Sequence, residues 1–165
     1  MTAEAPDLLM EMIRRTSPVV LRIFRQNGFI LAPYWDVETA AGERAIVNHP
    51  RKATVAEDVT AVRTAFAMMR VVRYVQVGEA VMVEQYTGRN QVRLSREDDP
   101  TLDGRQREAV VISAEDRELG MLIGYRVIRR GEGKPSLGPL RFWPYDATLT
   151  GPMTGLLAHN RGTVQ

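Results

Sequence analysis

The chain contains no cysteine. That removes disulfide frameworks, zinc ribbons and thiolate nucleophiles together. It has two histidines, His49 and His159, both in loop-like sequence. Neither has a second ligand three or four residues away, so no helix-borne metal pair exists. No serine among Ser17, Ser95, Ser113 and Ser136 stands in a G-x-S-x-G elbow. No apolar run reaches the about 18 residues that a spanning helix needs. The opening MTAEAPDLLMEMIRR has neither a basic leader nor a signal-length apolar stretch, and a cytoplasmic protein is expected. Lysine is nearly absent, two of 22 cations, against 20 acids for a net charge of +2. The arginine skew fits a GC-rich genome or selection for forks that grip phosphate or carboxylate. The near-balance of charge argues against binding a polyanion over the whole surface.

What remains is an ordinary globular composition, 44% hydrophobic and 25% charged over 165 residues. One domain, 1–165, is expected, with residues 1–5 and 146–165 as loosely ordered tails. The strongest periodic signal runs from Thr54 to Tyr86. Val55, Val59, Val62, Phe66 and Met69 follow the 3, 4 spacing of one helix face. Thr54 with Glu57 forms a capping box that starts this helix. Near Val71 the period changes to two: Val75, Val77, Val81 and Val83 share one strand face, and Tyr74, Ala80, Met82 and Tyr86 the other.

Ahead of this unit, residues 6–27 read as two short helices or one broken helix, with Ser17-Pro18 as cap and first turn and Asn27-Gly28 as the stop. A hairpin is expected over 29–47, turning through Thr39-Ala40-Ala41-Gly42, with Pro33 marking an edge or a bulge. After it, residues 87–107 are polar and aperiodic and read as a long loop, mobile or functional. Ala109–Ser113 reads as a strand, Ala114–Glu118 as a turn, Leu119–Arg130 as the returning strand and Leu137–Trp143 as a last edge strand. Connections this short cannot carry parallel crossovers. The expected fold class is α+β: N-terminal helices and a central helix on a mainly antiparallel, curved sheet made of a hairpin plus a meander of three or four strands.

Two motifs dissolve on inspection. Gly131-Glu132-Gly133-Lys134 lacks the spacing and following helix of a phosphate loop, and Pro135 follows at once. Asp99-Pro100-Thr101-Leu102-Asp103-Gly104 mimics half a calcium loop, but its twelfth position is Val110 rather than a bidentate carboxylate. No metal and no cofactor are expected. Glu79 is the misfit: alternation places it on the Val75–Val77 face. It requires a bulge at Gly78, a bonded partner such as Arg126, or a pocket. In the pocket reading Glu79, Tyr86, Tyr125, Arg126 and Trp143 converge. Aromatics in the Pro-rich segments, Tyr34, Trp35, Phe142, Trp143 and Tyr145, are candidate interface residues. Basic residues gather at Arg14, Arg15, Arg22 and Arg25, at Arg70 and Arg73, and at Arg126, Arg129, Arg130 and Lys134, each group with acids nearby.

The helix–hairpin–helix–meander order resembles the topology of cystatin- or nuclear-transport-factor-like α+β rolls. Across residues 55–143, the run Gly78-Glu79-Ala80-Val81, then Asp98-Asp99-Pro100, Arg107-Glu108-Ala109-Val110-Val111, Ala114-Glu115-Asp116-Arg117 and Leu137-Gly138-Pro139-Leu140 resembles small bacterial and phage proteins with no assigned activity. That resemblance carries over no functional residue. The expected function is a non-catalytic binding or interaction protein whose partner is another protein or a second copy of itself. The alternatives are a small-molecule or enzymatic roll with Glu79 in its pocket, and weak nucleic-acid binding through the arginine clusters. Nucleic acid and membrane are not the expected partners.

Overall fold

A computed structural model describes residues 4–30, 32–87, 89–95, 106–143, 145 and 156–157, with 82–87, 89–95 and 106 as backbone alone. The chain order is α1 (Asp7–Asn27), β1 (Tyr34–Thr39), β2 (Arg44–Asn48), α2 (Val55–Met69), β3 (Val71–Thr87), β4 (Arg89–Ser95), β5 (Gln106–Asp116), β6 (Gly120–Arg129), β7 (Ser136–Leu137) and β8 (Arg141–Phe142). The fold is α+β. Its antiparallel sheet is curved and open, with the order β2-β1-β3-β5-β6-β7; β4 pairs with β3, and β8 with β6.

The N-terminal segment is one helix, not two. Pro18 lies inside α1, and neither Ser17 nor Pro18 caps anything. A mid-helix proline costs about 3 kcal/mol in isolation. Here the apolar stripe runs straight through it: Leu9, Met12, Ile13, Val20 and Phe24 are all buried against the sheet. Tertiary packing therefore outweighs the local break. Gly28 ends the helix in the left-handed region at φ 75°, its N–H donating to the Phe24 carbonyl at 2.7 Å. Ahead of α1, Ala5 packs against the same core.

Helix α2 begins at the expected capping box. The Glu57 N–H donates to Thr54 Oγ1, and the Thr54 N–H donates to Glu57 Oε2, both at 3.2 Å. Arg70 alone links it to β3, in a left-handed conformation at φ 55°. The register of β1 on β3 shifts between Glu38 and Thr39, so that Glu38 faces Arg73 and Thr39 faces Val71. This bulge puts Val71 on the same side as Tyr74. Val75 and Val77 face α1, while Val71 and Tyr74 join Trp35, Val37, Val62 and Phe66 in a second core beneath α2.

Three expectations about segments change. Residues 89–95, assigned to a long polar loop, pair with β3 from Thr87–Arg89 to Val81–Ser95. Thr87 belongs to β3 and Gln106 and Arg107 to β5; the remainder of that loop, 88 and 96–105 with the calcium-like sequence, lies outside the described residues. Strand β5 continues through Ala114, Glu115 and Asp116, and the turn is confined to 117–119. In the C-terminal stretch, Leu156 and Leu157 are fully buried in the second core rather than loosely attached; the rest of 146–165 lies outside the described residues.

Gly124 shows how closely α1 approaches the sheet. A Cβ there would lie 2.7 Å from Ile13 Cγ2 and 3.3 Å from the Ile112 carbonyl oxygen. Gly124→Ala is expected to destabilise the protein by about 1–3 kcal/mol, through overpacking. Urea unfolding measures it. Because Ile13→Ala removes the obstructing methyl, the double variant should lose clearly less than the two single losses added together.

Candidate interaction site

Among the described residues, Glu79, Arg126 and the Tyr125–Trp143 pair of the expected pocket do not converge. Strand β3 runs beside β5 without a register break from Arg73 to Val83, so no bulge forms at Gly78. Glu79 stays on the α1 face but is exposed, in the interval between β1, whose first residue lies opposite Val77, and β4, whose last residue lies opposite Val81. Its carboxylate accepts the Ile30 N–H at 2.7 Å. Arg126 is not its partner. Tyr125 and Trp143 do touch, with ring centroids 6.1 Å apart, yet Tyr125 alternates with Arg126 and points to the opposite face of β6. The side chain of Tyr86 lies outside the described residues.

The interface aromatics divide. Trp35 is fully buried, stacked on His49 and edge-on to Phe66. In β1 the side chains alternate, and Trp35, Val37 and Thr39 take the inner side. The neighbouring Pro33 therefore did not mark an exposed aromatic; its ring covers Gly78 instead. Tyr34 is half-buried against the α1 core. Phe142, Trp143 and Tyr145 are half-buried, tied by Trp143 N–H to the Ile123 carbonyl and Tyr145 O–H to the Leu119 carbonyl.

What the fold does assemble is a cationic seam between α1 and β6. The Arg126 guanidinium, half-buried, donates from Nε to Ser17 Oγ and from Nη1 to the Gly138 carbonyl, both at 2.8 Å. Both acceptors are neutral. Burial, and then the nearby Arg25 charge, lower the pKa of Arg126. Along the same side of α1, Arg14 lies over the Phe142 ring, 5.5 Å from its centroid. Arg129 reaches the far side of Gly138, whose Cβ position would be 3.5 Å from Arg129 Nε and Nη2. Two stretches of sequence make this seam. Residues 12–35 hold four arginines and no acid, and 119–145 hold five cations with Glu132 as the lone acid. Packing one on the other concentrates charge of one sign.

Three arginines elsewhere are neutralised. Arg44 pairs with Asp36 at 2.5 Å, Arg73 bridges Glu38 and Asp116 at 2.9 Å each, and Arg130 meets Glu108. Among the described residues Arg14, Arg22, Arg25, Arg126 and Arg129 have no such partner. The cavity between Arg15, Thr16, Asp36, Glu38 and Arg73 has a volume of about 40 Å³, room for a water or two. No cluster of three potential metal ligands occurs among the described residues. No helix among them is long and apolar enough to cross a membrane.

Sequence reasoning missed the buried acids of β5. Glu115 and Asp116, expected in a turn, are both buried. Glu115 Oε2 accepts the Tyr74 hydroxyl at 3.0 Å and its Oε1 the Leu157 N–H at 2.7 Å. Burial and the Glu115 charge push the Tyr74 pKa well up. The available signal was the period of two from Ala109, which continues through Val111 and Ser113 to Glu115. His49 also has a partner that spacing did not reveal: its Nδ1 accepts the Arg51 N–H, and its Nε2 is 3.5 Å from Asp58 Oδ2.

No protein-family model, curated protein or solved structure matches this chain at a significant level.

Asp116 yields a pH prediction. Burial alone would raise its pKa, but the Glu118 and Leu119 N–H groups and Arg73 outweigh it and hold the carboxyl below its usual value. The unfolded chain therefore binds this proton more tightly than the folded one. The stabilisation is complete above the ordinary carboxylate range and is lost as pH falls below about 4. Calorimetry should find Asp116→Asn less stable than the parent at neutral pH. Its further loss between about pH 4 and about pH 2 should be smaller than the parent's.

Proposed function

We propose that this chain is a non-catalytic interaction protein whose α1–β6 seam docks an acidic segment of a protein partner. The observation that carries the reading is Arg126: a half-buried guanidinium held by two neutral acceptors, beside Arg25, without a carboxylate among the described residues. A charge withdrawn from water without a counter-ion is unfavourable. An incoming carboxylate supplies that counter-ion and relieves the repulsion between Arg126 and Arg25. Arginine forks suit carboxylates because two parallel N–H groups meet two oxygens. Arg14 on Phe142 adds the pairing of arginine and aromatic common in interface hot spots.

The enzyme reading loses its basis at Glu79, which is exposed and engaged with the Ile30 amide. For nucleic acid, one of the aromatics available for stacking on bases, Trp35, is inside the core.

Fluorescence anisotropy with a labelled oligo-glutamate peptide tests the reading. Binding should weaken as salt is raised. Arg126→Gln and Arg25→Gln should each lower affinity about tenfold, the loss of one charge-assisted hydrogen bond. Arg44→Gln, on the opposite side of α1, should change it little. Tighter binding to a single-stranded oligonucleotide of equal charge, or equal binding by Arg126→Gln and the parent protein, would sink the proposal.

A further inference from the structure

The second core is completed by a piece of chain that is remote in sequence. Leu156 and Leu157, at 2% and 1% exposure, fill it together with Trp35, Val37, Val62, Phe66, Val71 and Tyr74. Their backbone is held as well as their side chains. The Leu157 N–H donates to Glu115 Oε1, and the Leu156 N–H to the Tyr74 hydroxyl. That hydroxyl in turn donates to Glu115 Oε2. The seat therefore recognises two successive amide N–H groups carrying two aliphatic side chains.

Nothing in those contacts requires the segment to belong to the same chain. Ten residues, 146–155, separate Leu156 from Tyr145, the hydroxyl of which is fixed to the Leu119 carbonyl. Ten residues reach about 33–36 Å when extended, so the connection permits seating in a neighbouring molecule. The seat cannot stay empty without cost. Its loss would expose apolar surface and take a donor from a buried carboxylate. A second copy carries the identical Leu-Leu pair and the identical seat, and a reciprocal exchange closes with two-fold symmetry and leaves both seats filled.

We propose that the seat on Tyr74 and Glu115 takes Leu156–Leu157 from a second copy of this chain, and that exchange of this segment is the route to a dimer. The intramolecular competitor, tethered through ten residues, acts at an effective concentration of roughly millimolar order. Exchange therefore becomes populated as protein concentration approaches about 1 mM. This inference is independent of the arginine seam.

The test uses the full chain. Sedimentation of the parent protein from micromolar to about 1 mM should show a monomer–dimer equilibrium, absent from Leu156→Ser/Leu157→Ser. Should that variant fail to fold, isotope-filtered NOEs in a mixture of labelled and unlabelled parent protein decide the matter alone. Leu156 or Leu157 methyl groups of one copy should contact the Trp35 or Phe66 ring of another. A dimer without such contacts, or a monomer throughout the range, overturns the proposal. A synthetic peptide of residues 151–160 that restores the melting temperature of the double variant supports a seat open to other chains. The same rescue beside a parent protein that never exchanges assigns the seat to a foreign Leu-Leu segment and overturns self-exchange.

Discussion

The pairing of β3 on both edges is the constraint on which the rest of the structure depends. From Arg73 to Val77 it is hydrogen-bonded to β1 on one side and β5 on the other. Its two faces serve two different cores: Val75 and Val77 beneath α1, Tyr74 and Val71 beneath α2. A slip of one residue would turn every one of these side chains to the wrong side. Each buried valine contributes about 1.5–3 kcal/mol, and a whole domain is stable by only about 5–15 kcal/mol. The register is thus specified by burial on both faces. The bulge opposite Glu38 and Thr39 reconciles the strand with the one-residue connection from α2, by letting Val71 join Tyr74 despite their odd spacing.

Charge is distributed by the same architecture. On the β1 side of α1, carboxylates of neighbouring strands meet Arg44 and Arg73. On the β6 side, a helix without acids after Glu11 packs on a strand without acids. A net charge of +2 conceals that asymmetry. Arg126 is the point at which it becomes costly, because there a guanidinium is partly removed from water between Ser17 and Gly138. In the proposed docking, an incoming carboxylate offsets that cost.

Much of the frame was legible from the sequence. The capping box, the α2 stripe and the change of period near Val71 placed α2 and the start of β3, because each signal is local; the strand ends one residue beyond the expected Tyr86, at Thr87. What was lost depended on distant packing. Pro18 looked like a boundary until the stripe on both sides of it met the sheet. Trp35 looked exposed because Pro33 suggested an edge, whereas alternation within β1 buries it. Glu115 and Asp116 looked like turn residues because acids favour solvent; their donors come from Tyr74, Arg73, Leu157 and the turn amides, up to 43 residues away in sequence. Leu156 and Leu157 had no periodic neighbours to announce them. Of the cationic site, the arginines could be named in advance, but not their meeting, since Ser17 and Arg126 lie 109 residues apart.

The central claim is that a partner's carboxylates complete the Arg126–Arg25 pair. Amide chemical-shift mapping during titration with an acidic peptide tests it most directly, because it reports the place as well as the fact of binding. The account predicts perturbations concentrated along α1 from Arg14 to Arg25 and at Arg126, Arg129 and Gly138. Perturbations centred on β1, β2 or α2, with Arg126 and Gly138 unmoved, would contradict it.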